Sequence, residues 1–270
     1  MKRIIGVNSN CYHGYPIETA LEGIAAAGFH YVELTATKSW TEHVFPDQSF
    51  AHLSEIKDQM EKLKLVPFAM SGHCNLMDPE RLKDFIMNIR LADFFGCDYI
   101  VSSVGEAHLK DKETSTDETV AEHIRQLLPY LEQYRMTLVL ESHGAHGSGA
   151  ALKRITDLVH SELVGINYDT ANVVFYGRVQ PEKDILGCMD AVKYMHLKDK
   201  AGKDDEWNFP ALGEGKINFP AIFSELDAAN NACPFSIEIE FTPEGPGSLE
   251  AVNQAVKTSA EYLKTYGFQL

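Results

Sequence analysis

Glu141, Asp169, His196 and Glu238 each stand at or near the end of a short apolar run: T-L-V-L-E, G-I-N-Y-D, K-Y-M-H and F-S-I-E. Three carboxylates and one imidazole converging on a point would repel each other, because several buried like charges cannot all stay ionised. A divalent cation removes that conflict. An oxygen-rich set with one nitrogen suits Mn²⁺ or Mg²⁺ first, with Co²⁺ or Zn²⁺ next because the affinity order favours the later metals. Glu240 follows Glu238 by two residues. Strand side chains alternate, so the two share a face and compete for the last place in the set.

The same alternation puts His143 on the face of Glu141 and Lys198 on the face of His196. Together with Asn172 and His73 they are candidates for holding a substrate, as are Glu33 and His108. Trp40 and His43 follow the second apolar run and are candidates to cap the pocket. Each of these types also has an ordinary structural use. The case for the four candidate ligands rests on their recurrence at successive strand ends.

The elements that must position these residues alternate from one end of the chain to the other. Strand-like runs are predicted at Ile4–Val7, Tyr31–Leu34, Val66–Met70, Tyr99–Ser102, Thr137–Glu141, Val164–Tyr168, Val192–Leu197 and Phe235–Glu240. Each is brief and mostly apolar, as parallel strands covered by helices are. Helical patterns fall between them at Ile17–Ala27, Phe50–Lys64, Pro79–Phe95, Thr116–Tyr134, Ala150–His160, Pro181–Met189, Pro220–Ala229 and Ser248–Tyr266. Several open on proline, which the first helical turn tolerates, and several close on glycine before the next strand.

The chain has 270 residues. Eight βα units of about 34 residues each match a single-domain (β/α)8 barrel spanning 1–270 better than an open doubly wound sheet. There is no G-x-G-x-x-G or Walker sequence. In such a barrel the catalytic groups sit at the C-terminal ends of the strands, where the four candidates stand. The spacings of Glu141 to Asp169 and of Asp169 to His196 are each close to one βα unit. The longer gap to Glu238 is accounted for by the polar insertion Asp199–Asn218.

Composition narrows the partners. A formal net charge of -15 without a concentrated basic run argues against nucleic acid. No apolar stretch approaches a membrane span. Five cysteines, an odd number without C-x-x-C spacing, fit reduced thiols, and a cytoplasmic location is the expectation.

The segments L-V-L-E-S-H-G, N-Y-D-T-A-N-V, Y-M-H-L-K-D-K, L-G-E-G-K-I-N-F and S-I-E-I-E resemble the xylose isomerase-like barrel superfamily, in the sugar phosphate isomerase/epimerase branch that includes ketose 3-epimerases. The resemblance spans most of the chain. It implies one divalent metal on Glu141, Asp169, His196 and Glu238, favouring Glu238 over Glu240, and a homodimer or homotetramer. Two features depart from the ketose 3-epimerases. Asn172 stands where they resemble D-T-x-H, and the run Lys198-Asp199-Lys200 stands where they have an arginine shortly after the histidine.

The implied reaction removes a proton from carbon beside a carbonyl and gives an enediolate, on a ketose, sugar acid or sugar phosphate. Glu141 and Glu238 would form the acid/base pair, with His143, Asn172, Lys198 and His73 around the substrate. Lys198 and Lys200 admit an anionic substrate, and G-E-G lies where many barrels hold phosphate. A lyase or dehydratase on the same barrel is the main alternative. Less favoured are an apurinic endonuclease, which needs more histidines and a DNA-friendly surface, and a sugar-binding barrel without chemistry.

Overall fold

The computed structural model describes residues 3–106 and 115–270. Eight parallel strands run in chain order around a closed ring: β1 Ile5–Asn8, β2 Tyr31–Thr37, β3 Val66–Ser71, β4 Tyr99–Ser102, β5 Thr137–Glu141, β6 Val164–Asp169, β7 Val192–Leu197 and β8 Phe235–Ile237. Pairing of β1 with both β8 and β2 closes the ring, which makes the fold a (β/α)8 barrel. A two-residue antiparallel strand, Thr41–Glu42, folds back on the end of β2.

The covering helices are α1 Ile17–Ala26, α2 Phe50–Leu63, α3 Leu82–Phe95, α4 Asp117–Gln133, α5 Gly149–Val159, the short α6 Asn172–Phe175 and α7 Pro181–Asp184, then α8 Phe219–Ala228 and α9 Leu249–Thr265. Their starts are chemically marked. Ser49, Thr116, Ser148, Asn218 and Ser248 each accept a backbone N–H of the first turn, satisfying donors the helix cannot pair itself. Gly96 closes α3 with a left-handed φ of 81°, which costs glycine little.

Alternation along the strands separates two interiors. Ile5, Val7, Val32 and Leu34 face the helices in the large core. Phe68, Ala69, Val101, Val139 and Tyr194 fill the barrel itself. Each fully buried large apolar side chain contributes about 1.5–3 kcal/mol. Gly6 is required where it stands, since a Cβ there would lie 2.4 Å from Phe68 Cε1 and 2.9 Å from the Tyr31 carbonyl oxygen.

Several predicted elements shift at their bounds, and two change more. The last strand ends at Ile237 rather than Glu240, so Glu238 and Glu240 lie on the segment that leaves the barrel. The Glu238 N–H still donates to Leu197 O at 3.1 Å, and Phe241 pairs with Phe209 from the insertion. The helix expected over Pro181–Met189 is one α turn followed by a 3-10 turn at Ile185–Gly187, both ends tied by Tyr168 Oη, which donates to Pro181 O and Asp184 Oδ2.

Candidate active site

Parallel register carries the sequence pattern into three dimensions. Asp169 is level with His196, and Glu141 is level with Asn167 two residues earlier on β6. Ligand atoms of Glu141, Asp169, His196 and Glu238 all lie within 4.8 Å of one another, and all four residues are buried. His196 is central. Its Nδ1 is 2.7 Å from Glu141 Oε1, 3.4 Å from Glu238 Oε2 and 3.8 Å from Asp169 Oδ2.

The cluster's hydrogen bonding leaves one atom unused. Asp169 Oδ1 accepts the N–H groups of Ala171 and Asn172 at 2.9 and 2.8 Å. Asp169 Oδ2 is buried without a hydrogen bond. A buried, unsatisfied carboxylate oxygen is costly unless a cation meets it, so the donor set fits a divalent ion. Glu240 is outside that four-residue set. It accepts from Lys198 Nζ and from Asn10 Nδ2, the latter at 3.3 Å.

Lys198 is the cation already present. Its Nζ donates to Glu238 Oε2 at 3.1 Å, contacts Glu240, and lies 3.5 Å from Asn172 Oδ1 and 3.9 Å from Asp169 Oδ2. The charges shift one another strongly. Burial raises Glu141, but His73 and His196 outweigh it and hold the carboxyl at about 2. Burial likewise opposes ionisation of Glu238, and Lys198 and His196 drive it well below its ordinary value. Burial lifts Asp169 well above its ordinary value although Lys198 opposes this, and lifts Glu240 to about 6 against the same opposition. His196 is raised well above the usual imidazole value, since Glu33, Glu238 and Glu141 outweigh its burial.

Above the cluster opens a small, mostly polar pocket. Glu141, Glu238, Glu240, Lys198, Asn172, His143 and His73 line it, with Thr35, Thr37, Ser71, Trp40, Asn10 and Tyr176. His143 Nε2 pairs with Tyr176 Oη at 3.0 Å, and burial lowers its imidazole to about 4. His73 Nδ1 accepts the Ser103 N–H at 2.9 Å, which leaves its Nε2–H directed at Glu141 Oε2, 3.5 Å away. Trp40 lines the pocket beside Asn10, to whose Oδ1 its Nε1–H donates.

Several expected contributors stand elsewhere. His43 does not reach this pocket. Its Nε2 is turned to Tyr15 O at 3.0 Å. Glu33 lies beneath the cluster, with both oxygens near His196 Nε2, and does not line the pocket. Lys200 Nζ is spent on the carbonyls of Ala201 and Lys203. The G-E-G turn is also filled. Asp199 accepts the N–H groups of Lys200, Gly213, Gly215 and Ile217 at 2.8 to 3.1 Å, occupying the donors a phosphate would need. His108 lies outside the described residues.

Sequence reading missed Asn8 and Asn10. Their amides each donate to Glu238 Oε1 at 3.2 Å. The signal was available, because Asn8 closes β1 and Asn10 stands just past it, but β1 lies outside the last four strands on which the acidic residues recur.

The chain belongs to the family described as Xylose isomerase-like TIM barrel, whose model matches residues 21–266. An inosose dehydratase of Bacillus cereus is 24% identical over 168 residues, 55% of this chain. The match spans only 56% of that relative's length. The fold is also similar to a D-allulose 3-epimerase from Methylomonas sp. (TM-score 0.74, 17% identity, 98% of each chain). A 3-keto-D-glucoside 4-epimerase from E. coli gives a TM-score of 0.73 at 18% identity, over 98% of this chain and 100% of that one. A D-psicose 3-epimerase from Clostridium cellulolyticum gives 0.78 at 12% identity, with both chains fully covered.

Among the described residues no helix is long and apolar enough to cross a membrane.

Proposed function

We propose that the chain is a divalent-metal-dependent isomerase or epimerase of a neutral polyhydroxylated carbonyl compound, with Glu141 and Glu238 as its acid/base pair. The observation that carries this reading is the position of the four candidate ligands relative to the pocket. Glu141 and Glu238 line it, whereas Asp169 and His196 do not. Two members of the set thus anchor from below while two reach the space a substrate would enter. The ketose and glucoside epimerases among the structural neighbours accord with this.

Glu141, Asp169, His196 and Glu238 would hold the ion, and Mn²⁺ or Mg²⁺ suits their oxygen-rich set. When bound, it supplies Lewis-acid polarisation of a carbonyl and its neighbouring hydroxyl. The protein's own groups do the rest. Glu141 on β5 and Glu238 after β8 approach the pocket from different sides of the ring, so one removes a proton from carbon and the other returns it. Asn8 and Asn10 hold Glu238 in place. Lys198, Asn172, His143 and His73 are placed to grip hydroxyl groups. The Asp199 carboxylate in the G-E-G turn favours a substrate without phosphate.

Elimination of water is a second reading, favoured by one observation. Lys198 Nζ lies 3.1 Å from Glu238. If Glu238 takes the proton from carbon, the adjacent C–O bond can break with Lys198 protonating the departing hydroxyl. The inosose dehydratase match accords with that outcome.

The test is incubation of metal-supplemented protein with ketoses, inososes and 3-keto-glucosides in D₂O, read by NMR and mass spectrometry. Solvent deuterium on carbon with mass otherwise unchanged is expected. Loss of one water would favour the lyase, and neither exchange nor loss with any candidate would overturn both readings.

A further inference from the structure

A carboxylate buried at the centre of a protein is costly, because it leaves water for a medium that solvates charge poorly. Glu33 is such a group. It is on β2, is fully buried, and lies inside the barrel beneath the pocket rather than in it. The register between β2 and β3 slips by one residue between Val32 and Glu33, an irregularity of the kind that re-aims a side chain.

Its surroundings are specific. Glu33 Oε1 and Oε2 stand 3.1 and 3.0 Å from His196 Nε2. Tyr194 Oη, also fully buried, donates to Glu33 Oε2 at 2.9 Å. Glu33 accepts the Tyr194 hydroxyl and turns both oxygens to one ring nitrogen, an arrangement in which His196 presents Nε2–H to the carboxylate. An imidazole that ligates a metal is neutral and keeps a single ring proton. With that proton on Nε2, the lone pair of Nδ1 faces Glu141, Asp169 and Glu238.

We propose that Glu33, braced by Tyr194, is a positioning residue that fixes the tautomer and ring orientation of His196 so that Nδ1 is the metal-binding nitrogen. The inference rests on the metal reading above. Without the carboxylate, His196 can place its proton on Nδ1, where Glu141 Oε1 accepts it at 2.7 Å, and the lone pair then points away from the acid cluster. Outer partners of this kind commonly set metal affinity by 10- to 100-fold.

The experiment titrates Mn²⁺ calorimetrically into chelator-stripped protein, comparing wild type with Glu33→Gln and Tyr194→Phe. Glutamine keeps the shape but can pair with either tautomer. Wild type should bind one ion, Glu33→Gln about 10- to 100-fold more weakly, and Tyr194→Phe with a smaller loss of about two- to tenfold. Equal affinity of Glu33→Gln and wild type overturns the inference while leaving the metal reading intact, whereas no binding by wild type overturns both. Should Glu33→Gln not fold, Tyr194→Phe decides: reduced affinity supports the assignment and unchanged affinity overturns it. A structural role alone would not place the proton, so the second readout is ¹⁵N-histidine NMR of the Mg²⁺-loaded protein. A downfield Nε2–H signal for His196 is expected in wild type and its shift upfield in Glu33→Gln. A proton on Nδ1 in wild type overturns the proposal.

Discussion

Lys198 Nζ stands 3.1 Å from Glu238 Oε2, so the carboxylate proposed above as a metal ligand and acid/base group is also half of a buried ion pair. Lys198 thereby neutralises part of the charge at the pocket floor, next to Glu240 and Asp169 as well.

Replacing Lys198 with methionine leaves those carboxylates without their resident cation. Removal of one partner from a buried pair costs about 3–5 kcal/mol. Urea unfolding of chelator-treated Lys198→Met protein should show a loss of that order. Added Mn²⁺ should restore more stability to the variant than to wild type. Equal stability of the two metal-free proteins would mean that Lys198 is not the counter-charge.

Glu238→Gln keeps the contact with Asn8 and Asn10 in shape but removes the base. Turnover should fall by about 10²- to 10⁴-fold, the usual worth of a positioned acid/base group. Steady-state rates at saturating Mn²⁺ separate this from weakened metal uptake. Turnover that survives intact would remove Glu238 from the acid/base pair.

Asp199→Ala strips the G-E-G turn of its internal anion and leaves four backbone donors unpaired. Hydrogen bonds to a charged group contribute about 1.5–3 kcal/mol each, with losses that do not simply add. A destabilisation of roughly 3 kcal/mol or more by urea unfolding is therefore expected. The wild-type protein should show no competitive inhibition by inorganic phosphate. Phosphate competition in wild type would show that the turn is not closed to anions.

Acid should weaken the fold through His43. Burial holds this imidazole down to about 4, against an ordinary 6.5. Its Nδ1 is buried with no hydrogen-bond partner, so a second ring proton meets no acceptor. The unfolded chain takes up that proton near pH 6.5 and the folded chain only near pH 4. The group's contribution is thus fully present above pH 6.5 and is lost as the pH falls towards 4, at up to about 1.4 kcal/mol per pH unit. His143, lowered to about 4 by burial, adds in the same window. Urea unfolding at several pH values should give a shallower slope for His43→Gln than for wild type.

Much of the barrel and its four candidate ligands was legible in the chain because both depend on local properties. Hydrophobic alternation with a period of two marks the strands, and proline, glycine and hydroxyl caps mark the helices. Chain order alone then sets neighbours around a parallel ring, so polar residues at strand ends arrive together. Asp169 level with His196 is the direct result. The boundary at Ile237 was less legible. I-E-I-E alternates as a strand would, yet after the Glu238 N–H bond to Leu197 O the segment leaves the barrel and pairs again where Phe241 meets Phe209.

Tertiary structure alone decided how the remaining polar groups are used. Glu33 looked like a residue for the pocket, and it became a buried partner of His196 because β2 and β7 face each other across the ring, 163 residues apart in sequence. Asp199 sits one residue from Lys198, yet its carboxylate turns to amides 14 and 16 residues on and closes the site that G-E-G suggested. Side-chain types and their spacing state which groups are available at each strand end. Which lone pair meets which donor depends on ring closure, register slips and burial, and these exist only once distant segments are packed together.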